Sequence, residues 1–136
     1  MLNISVAHEN ARAPVTVMKL AGELDAATYL SVIDRVRSLV DEGTRNMLLD
    51  LAELAYMGSS GLFVIHSAAM LLRGEEPPDP EGGWGAIHEV EGRATEEVEC
   101  LKLLDPQPQV ARVLERSGLA RFFAIHTDRS AALESF

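Results

Sequence analysis

One cysteine in 136 residues, Cys100, excludes an internal disulfide and any thiolate cluster for zinc. Standing at the head of an apolar segment, it reads as a small buried hydrophobe. Aromatic residues make up 5% of the chain against 47% apolar, so the core is expected to be filled by Leu, Val, Ile, Ala and Met rather than by stacked rings. No apolar run approaches the roughly 18 residues of a membrane helix, and "MLNISVAHEN" lacks a basic segment leading into an apolar one. A soluble, cytoplasmic protein without membrane insertion is expected. Positive charge is also scarce: 12 basic residues against 21 acidic give a net charge of -9, which argues against a nucleic-acid partner. His66, His88 and His126 show no metal-ligand spacing, so neither metal nor cofactor is expected.

The acidity is local. Between 74 and 100 lie nine acids against one base, Arg93, together with Pro77, Pro78, Pro80 and several glycines. That composition resists regular structure and reads as an acidic insertion at about 74–98 in a single domain spanning 1–136. Within it "WGAIHEV" suits a short strand, with Trp84 packing back onto the body.

The remainder patterns as alternating strands and helices. "LNISV" and "VTVMKLAG", separated by the turn-like "AHENARAP", predict a hairpin. A helix follows, with Leu30, Ile33, Val36 or Arg37, and Val40 at helical spacing, Thr28 as N-cap and Gly43 as stop. "NMLLDLAEL" reads as a strand buried on both faces, and the run after Gly61 as a helix. Strand "CLKLLD", a helix from about Gln107 to Ser117, strand "FFAIHT" and a short helix from Asp128 to Leu133 complete an α/β layer architecture.

Two serines sit between glycines where the buried strand gives way to the helix: Gly58-Ser59-Ser60-Gly61. The plainest role for a hydroxyl there is a helix cap worth about 1 kcal/mol. A nucleophile elbow requires Gly-x-Ser-x-Gly, which this spacing does not supply, so no catalytic residue and no enzyme is expected. A third role is phosphoryl acceptance, since a helix N-terminus tolerates the roughly -1.5 to -2 charge of a phosphoserine. On the helix, Leu62, Ile65, Ala69 and Leu72 form one apolar stripe, and Phe63, His66, Ser67 and Met70 a more mixed one suited to a partner surface.

"VMKLAGELDAAT", "LLDLAELAYMGSSGLFVI" and "DPQPQVARVLERSGLARFFAIH", in that order, resemble the STAS domain family, the bacterial anti-sigma factor antagonists. The resemblance implies a four- to five-stranded mixed sheet with helices largely on one face. It implies a regulator of transcription that binds an anti-sigma factor serine kinase when unmodified, is released by serine phosphorylation, and is restored by a PP2C-type phosphatase; a homodimer is left open. By the same resemblance Ser59 is the phosphorylated serine, with Ser60 as runner-up. Gly61 matches the glycine at the helix start, and Asp25 the acid of the loop after the second strand, beside the serine. Two departures are visible: Gly58 stands where the family usually has Asp, and Phe63 where it commonly has a small residue. The bulk of Phe63 would reshape the partner surface, while Gly58 and the acidic insertion favour the alternative of a STAS module not switched by phosphate, acting as a scaffold, ligand sensor or transport accessory subunit.

Overall fold

A computed structural model describes residues 1–77 and 98–136. Five strands, β1 (Leu2–Asn10), β2 (Pro14–Leu24), β3 (Met47–Met57), β4 (Val98–Leu104) and β5 (Phe123–His126), form one sheet in the order of the chain. β1 runs antiparallel to β2, and the other three neighbours are parallel pairs. The helices are α1 (Tyr29–Asp41), α2 (Ser59–Leu72), α3 (Pro108–Ser117) and α4 (Arg129–Glu134), with a 3-10 turn at Leu119–Arg121.

The topology explains the layering. Parallel crossovers are right-handed, so strands that always advance in one direction across a sheet place every crossover helix on the same face. Met18, Leu20, Met47, Leu49, Leu51, Leu101 and Leu103 form the sheet side of that main core, against apolar residues of α1, α2 and α3. Among the described residues the opposite side carries a small cluster, in which Val15, Val17, Leu48 and Leu104 meet Ala132 of α4. The domain is therefore a mixed sheet with helices largely on one face, as the resemblance implied.

Local signals set the boundaries. α1 and α2 both end in a left-handed glycine: Gly43 (φ 114°) follows α1 and Gly74 (φ 80°) follows α2. In each case the next N–H reaches back over the turn, Thr44 to the Leu39 carbonyl at 3.0 Å and Glu75 to that of Met70 at 2.8 Å, the Schellman arrangement. Three expectations shift. The hairpin turn contracts to residues 11–13, because β1 continues to Asn10 opposite Pro14. Thr28 occupies the N-cap position but gives no side-chain cap, its hydroxyl bonding backward into the preceding loop. Leu30 is 47% exposed, since α1 buries Val32, Ile33, Val36 and Leu39, and Leu30 lies about 180° round the helix from Leu39.

Most of the expected insertion, including Trp84 and its predicted strand, lies outside the described residues. The described flank carries Glu76, which receives both terminal guanidinium nitrogens of Arg37 at 3.1 and 3.3 Å on the surface. Cys100 is half-buried on β4, and burial pushes its thiol pKa up, in keeping with a small apolar residue.

Candidate functional site

The turn at Gly58–Gly61 forms where β3 leaves the sheet. Leu24 and Met57 are the last paired residues of β2 and β3, and the Gly58 N–H donates to the Leu24 carbonyl at 2.9 Å. Register thus sets Asp25, the next residue of β2's loop, beside Gly58 at the carboxyl end of the parallel strands. Gly58 is the N-cap of α2 with φ -92° and ψ -174°, an extended conformation open to any residue. Both serines belong to the helix: Ser59 is its first residue and exposed, Ser60 the second and half-buried.

Among the described residues no side chain caps α2, and its first turn holds no acid. The Gly61 N–H folds back to the Gly58 carbonyl at 3.0 Å, but the helix start keeps its positive dipole end next to the Ser59 hydroxyl. Gly61 is required for close approach rather than for its backbone angles. A Cβ there would run into Met57 Cγ and stand 3.2 Å from Leu24 Cδ2, so the glycine lets α2 sit down on the ends of β2 and β3.

The Asp25 carboxylate is committed within its own loop. It accepts the Ala27 N–H at 2.9 Å and lies 3.2 Å from the Thr28 hydroxyl, while the Asp25 carbonyl accepts the Tyr29 N–H at 3.0 Å. These bonds turn the chain from β2 into α1.

The second stripe of α2 is not a surface. Phe63 is 3% exposed and meets Tyr29 edge to face at 6.2 Å; His66 is 8% exposed and meets Phe123 in the same way at 6.2 Å. Ser67 is fully buried, its hydroxyl without a hydrogen-bond partner among the described residues, and only Met70 of the four is even half-exposed. The partner-binding role expected of Phe63, His66 and Ser67 is therefore corrected. α2 lies between α1, β4 and α3, and a helix apolar all round is buried all round. Burial pushes the His66 pKa down from 6.5 to about 4, keeping the ring neutral.

Other residues border the turn instead. Tyr56 is 45% exposed, and its hydroxyl lies 3.4 Å from where a Gly58 side chain would begin. Gln109, in the first turn of α3, accepts the Met57 N–H at Oε1 (2.9 Å) and donates from Nε2 to the Met57 carbonyl (3.2 Å). Gln107 donates to the Ala52 carbonyl at 2.8 Å. β4 pairs with β3 only from Met47 to Asp50, so these two glutamines stand in for the missing strand neighbour. Nothing in the sequence pattern singles them out except the place of Gln107 between Pro106 and Pro108, and of Gln109 just after, beyond a buried strand.

At the carboxyl ends of its parallel strands the mixed sheet thus presents a helix start without a side-chain cap and an exposed serine. The chain belongs to the STAS domain family, whose pattern matches residues 6–75. It is 30% identical to the anti-sigma F factor antagonist of Paenibacillus polymyxa, with 97% of this chain and 94% of that protein aligned. It is 29% identical to BtrV of Bordetella bronchiseptica, also named as an anti-sigma factor antagonist, over 86% of this chain and 82% of that one. The fold is similar to a Thermotoga maritima structure described as an anti-sigma factor antagonist, with a TM-score of 0.67 at 19% identity over 95% and 92% of the two chains.

Proposed function

We propose that the domain is an anti-sigma factor antagonist that binds an anti-sigma serine kinase in its unmodified state and is switched off by phosphorylation of Ser59. A PP2C-type phosphatase resets it. The domain acts by binding, without chemistry of its own. The observation that carries this reading is the Ser59 hydroxyl, exposed on the first residue of α2 at an N-terminus without cap or acid. A phosphate there is electrostatically tolerated by the domain, so release comes from the partner that must accommodate about two extra negative charges. Asp25, Tyr56 and the Gly58–Gly61 turn make up the neighbourhood such a kinase would read.

The experiment is phosphorylation by the kinase recovered with the protein from its native lysate, followed by intact-mass measurement. One added phosphate that Ser59→Ala abolishes and Ser60→Ala preserves supports the switch. A protein that stays unmodified, yet holds its kinase tightly in the presence of ATP, overturns it. That second outcome would favour a module that binds constitutively, as a scaffold, ligand sensor or transport accessory subunit, a reading to which Gly58, in place of an acid, lends its one specific observation.

A further inference from the structure

β1 is the one long strand edge left without a neighbour among the described residues, for β5 at the other end of the sheet has four residues. The hydrogen-bond phase decides what this edge offers. The Met1 carbonyl accepts the Glu23 N–H at 3.2 Å, in step with the Leu2 to Gly22 register. Odd-numbered residues of β1 therefore turn their main-chain groups toward β2, and Leu2, Ile4, Val6 and His8 turn theirs outward. The side chains of Leu2, Ile4 and Val6 also share the helix-side face, where they touch the core but remain half-exposed. One stripe thus combines free hydrogen-bonding groups with incompletely covered apolar surface.

Sheet edges are commonly protected by a proline, a lysine, a bulge or short length. β1 has none of these: nine residues without proline or lysine pair with β2 in unbroken register. Its one carboxylate, Glu9, lies past the stripe and faces Arg129 at 3.4 Å.

We propose that β1 is a self-docking edge, through which two copies pair antiparallel about a two-fold axis at Ile4 and continue one sheet into the other. The occupant follows from self-complementarity. In this register Leu2 meets the second copy's Val6 and Ile4 meets its equivalent, so the whole apolar stripe covers itself. On the opposite face Asn3 meets Ser5, and no like charges oppose. The pairing supplies about six main-chain hydrogen bonds, fewer than the roughly ten of a typical stable interface, so the dimer is a weak, concentration-dependent one. The proposal does not rest on phosphorylation of Ser59.

Sedimentation velocity on the full chain from micromolar to millimolar concentration tests it. A monomer–dimer equilibrium is expected. Asn3→Glu with Ser5→Glu, which opposes two glutamates on each side of the axis, should weaken it about tenfold or more. Within each copy the new carboxylate at position 5 faces Lys19 and that at position 3 faces Ala21, so the β1–β2 ladder meets no like charge. Replacing Asn3→Glu by Asn3→Lys in that double variant should restore the dimer through cross-strand ion pairs, a rescue that only the Ile4-centred register allows. Ile4→Pro should abolish dimerisation while keeping the β1–β2 ladder, because its N–H points outward; circular dichroism checks the fold, and the charge variants carry the test should that variant misfold. A purely monomeric wild type, a dimer indifferent to the two glutamates, or a failed rescue by Asn3→Lys overturns the proposal.

Discussion

Gln109 makes both of its amide hydrogen bonds to a single residue, Met57, taking its N–H at 2.9 Å and giving one to its carbonyl at 3.2 Å. The last peptide of β3 is thus held by a side chain from α3, one residue ahead of the Gly58 turn. The contact links the serine's setting to the far half of the chain, 52 positions on.

Gln109→Ala should destabilise the domain by about 1–3 kcal/mol, because both main-chain groups of Met57 lose their partner at a half-buried site. Gln109→Glu keeps the acceptor and loses the donor, so at neutral pH it should fail to rescue the loss. Urea denaturation checks both. Faster hydrogen exchange at the Met57 amide than in the middle of β3 would locate the effect at the turn.

Phe63→Ala should cost about 3–5 kcal/mol of stability, the penalty for emptying a fully packed aromatic site. Phe63 is 3% exposed and is braced by Tyr29. Calorimetry of the variant measures the loss. A drop of less than about 1 kcal/mol would be the mark of a surface residue and would contradict the packing.

His66 gives the stability a pH dependence of known sign. Its folded pKa, about 4, lies below its ordinary 6.5, so between those values the unfolded chain binds a proton that the folded one refuses. The stability attached to this residue is fully present above pH 6.5 and is lost progressively as pH falls toward 4, by up to about 3 kcal/mol. His66→Gln should flatten the profile across that window relative to wild type. Parallel slopes for the two proteins would show that carboxylates alone govern the acid limb.

The alternation of strands and helices was legible because each element carries its own punctuation: Gly43 ends α1, Gly118 ends α3, and Met47–Leu51 is a continuous buried run. The serine turn was legible as well, from two glycines at a strand-to-helix boundary. The burial of α2 was misread by stripes, although its fourteen residues hold no charge and that absence already implied a helix enclosed on all sides. Leu30 was placed inward because periodicity gives a face but not its centre; packing against α2 chose Val32, Val36 and Leu39. Gln107 and Gln109 could not be found at all. Their role depends on where β4 stops pairing with β3, a tertiary fact that two glutamines at the start of a helix do not encode.

Gly58 and Gly61 look equivalent in the sequence and should respond oppositely to substitution. Gly61→Ala should destabilise by about 1–3 kcal/mol, since its Cβ would press on Met57 and Leu24. Gly58 has an ordinary φ of -92°, and the nearest atom to a new Cβ is the Tyr56 hydroxyl at 3.4 Å, so Gly58→Asp meets no strain. An aspartate there can accept the Ser60 or Gly61 N–H and cap a helix that has no side-chain cap, and it narrows the unfolded ensemble. A gain of about 0.5–1.5 kcal/mol should appear in thermal melts. The same variant separates two roles for the acid at this position when phosphorylation of Ser59 is timed. If the carboxylate orients the hydroxyl or is read by the kinase, Gly58→Asp should raise the rate of phosphate incorporation over wild type. If it only caps α2, the melt should rise and the rate should not, and the glycine of this chain would then have given up helix stability without loss to the switch.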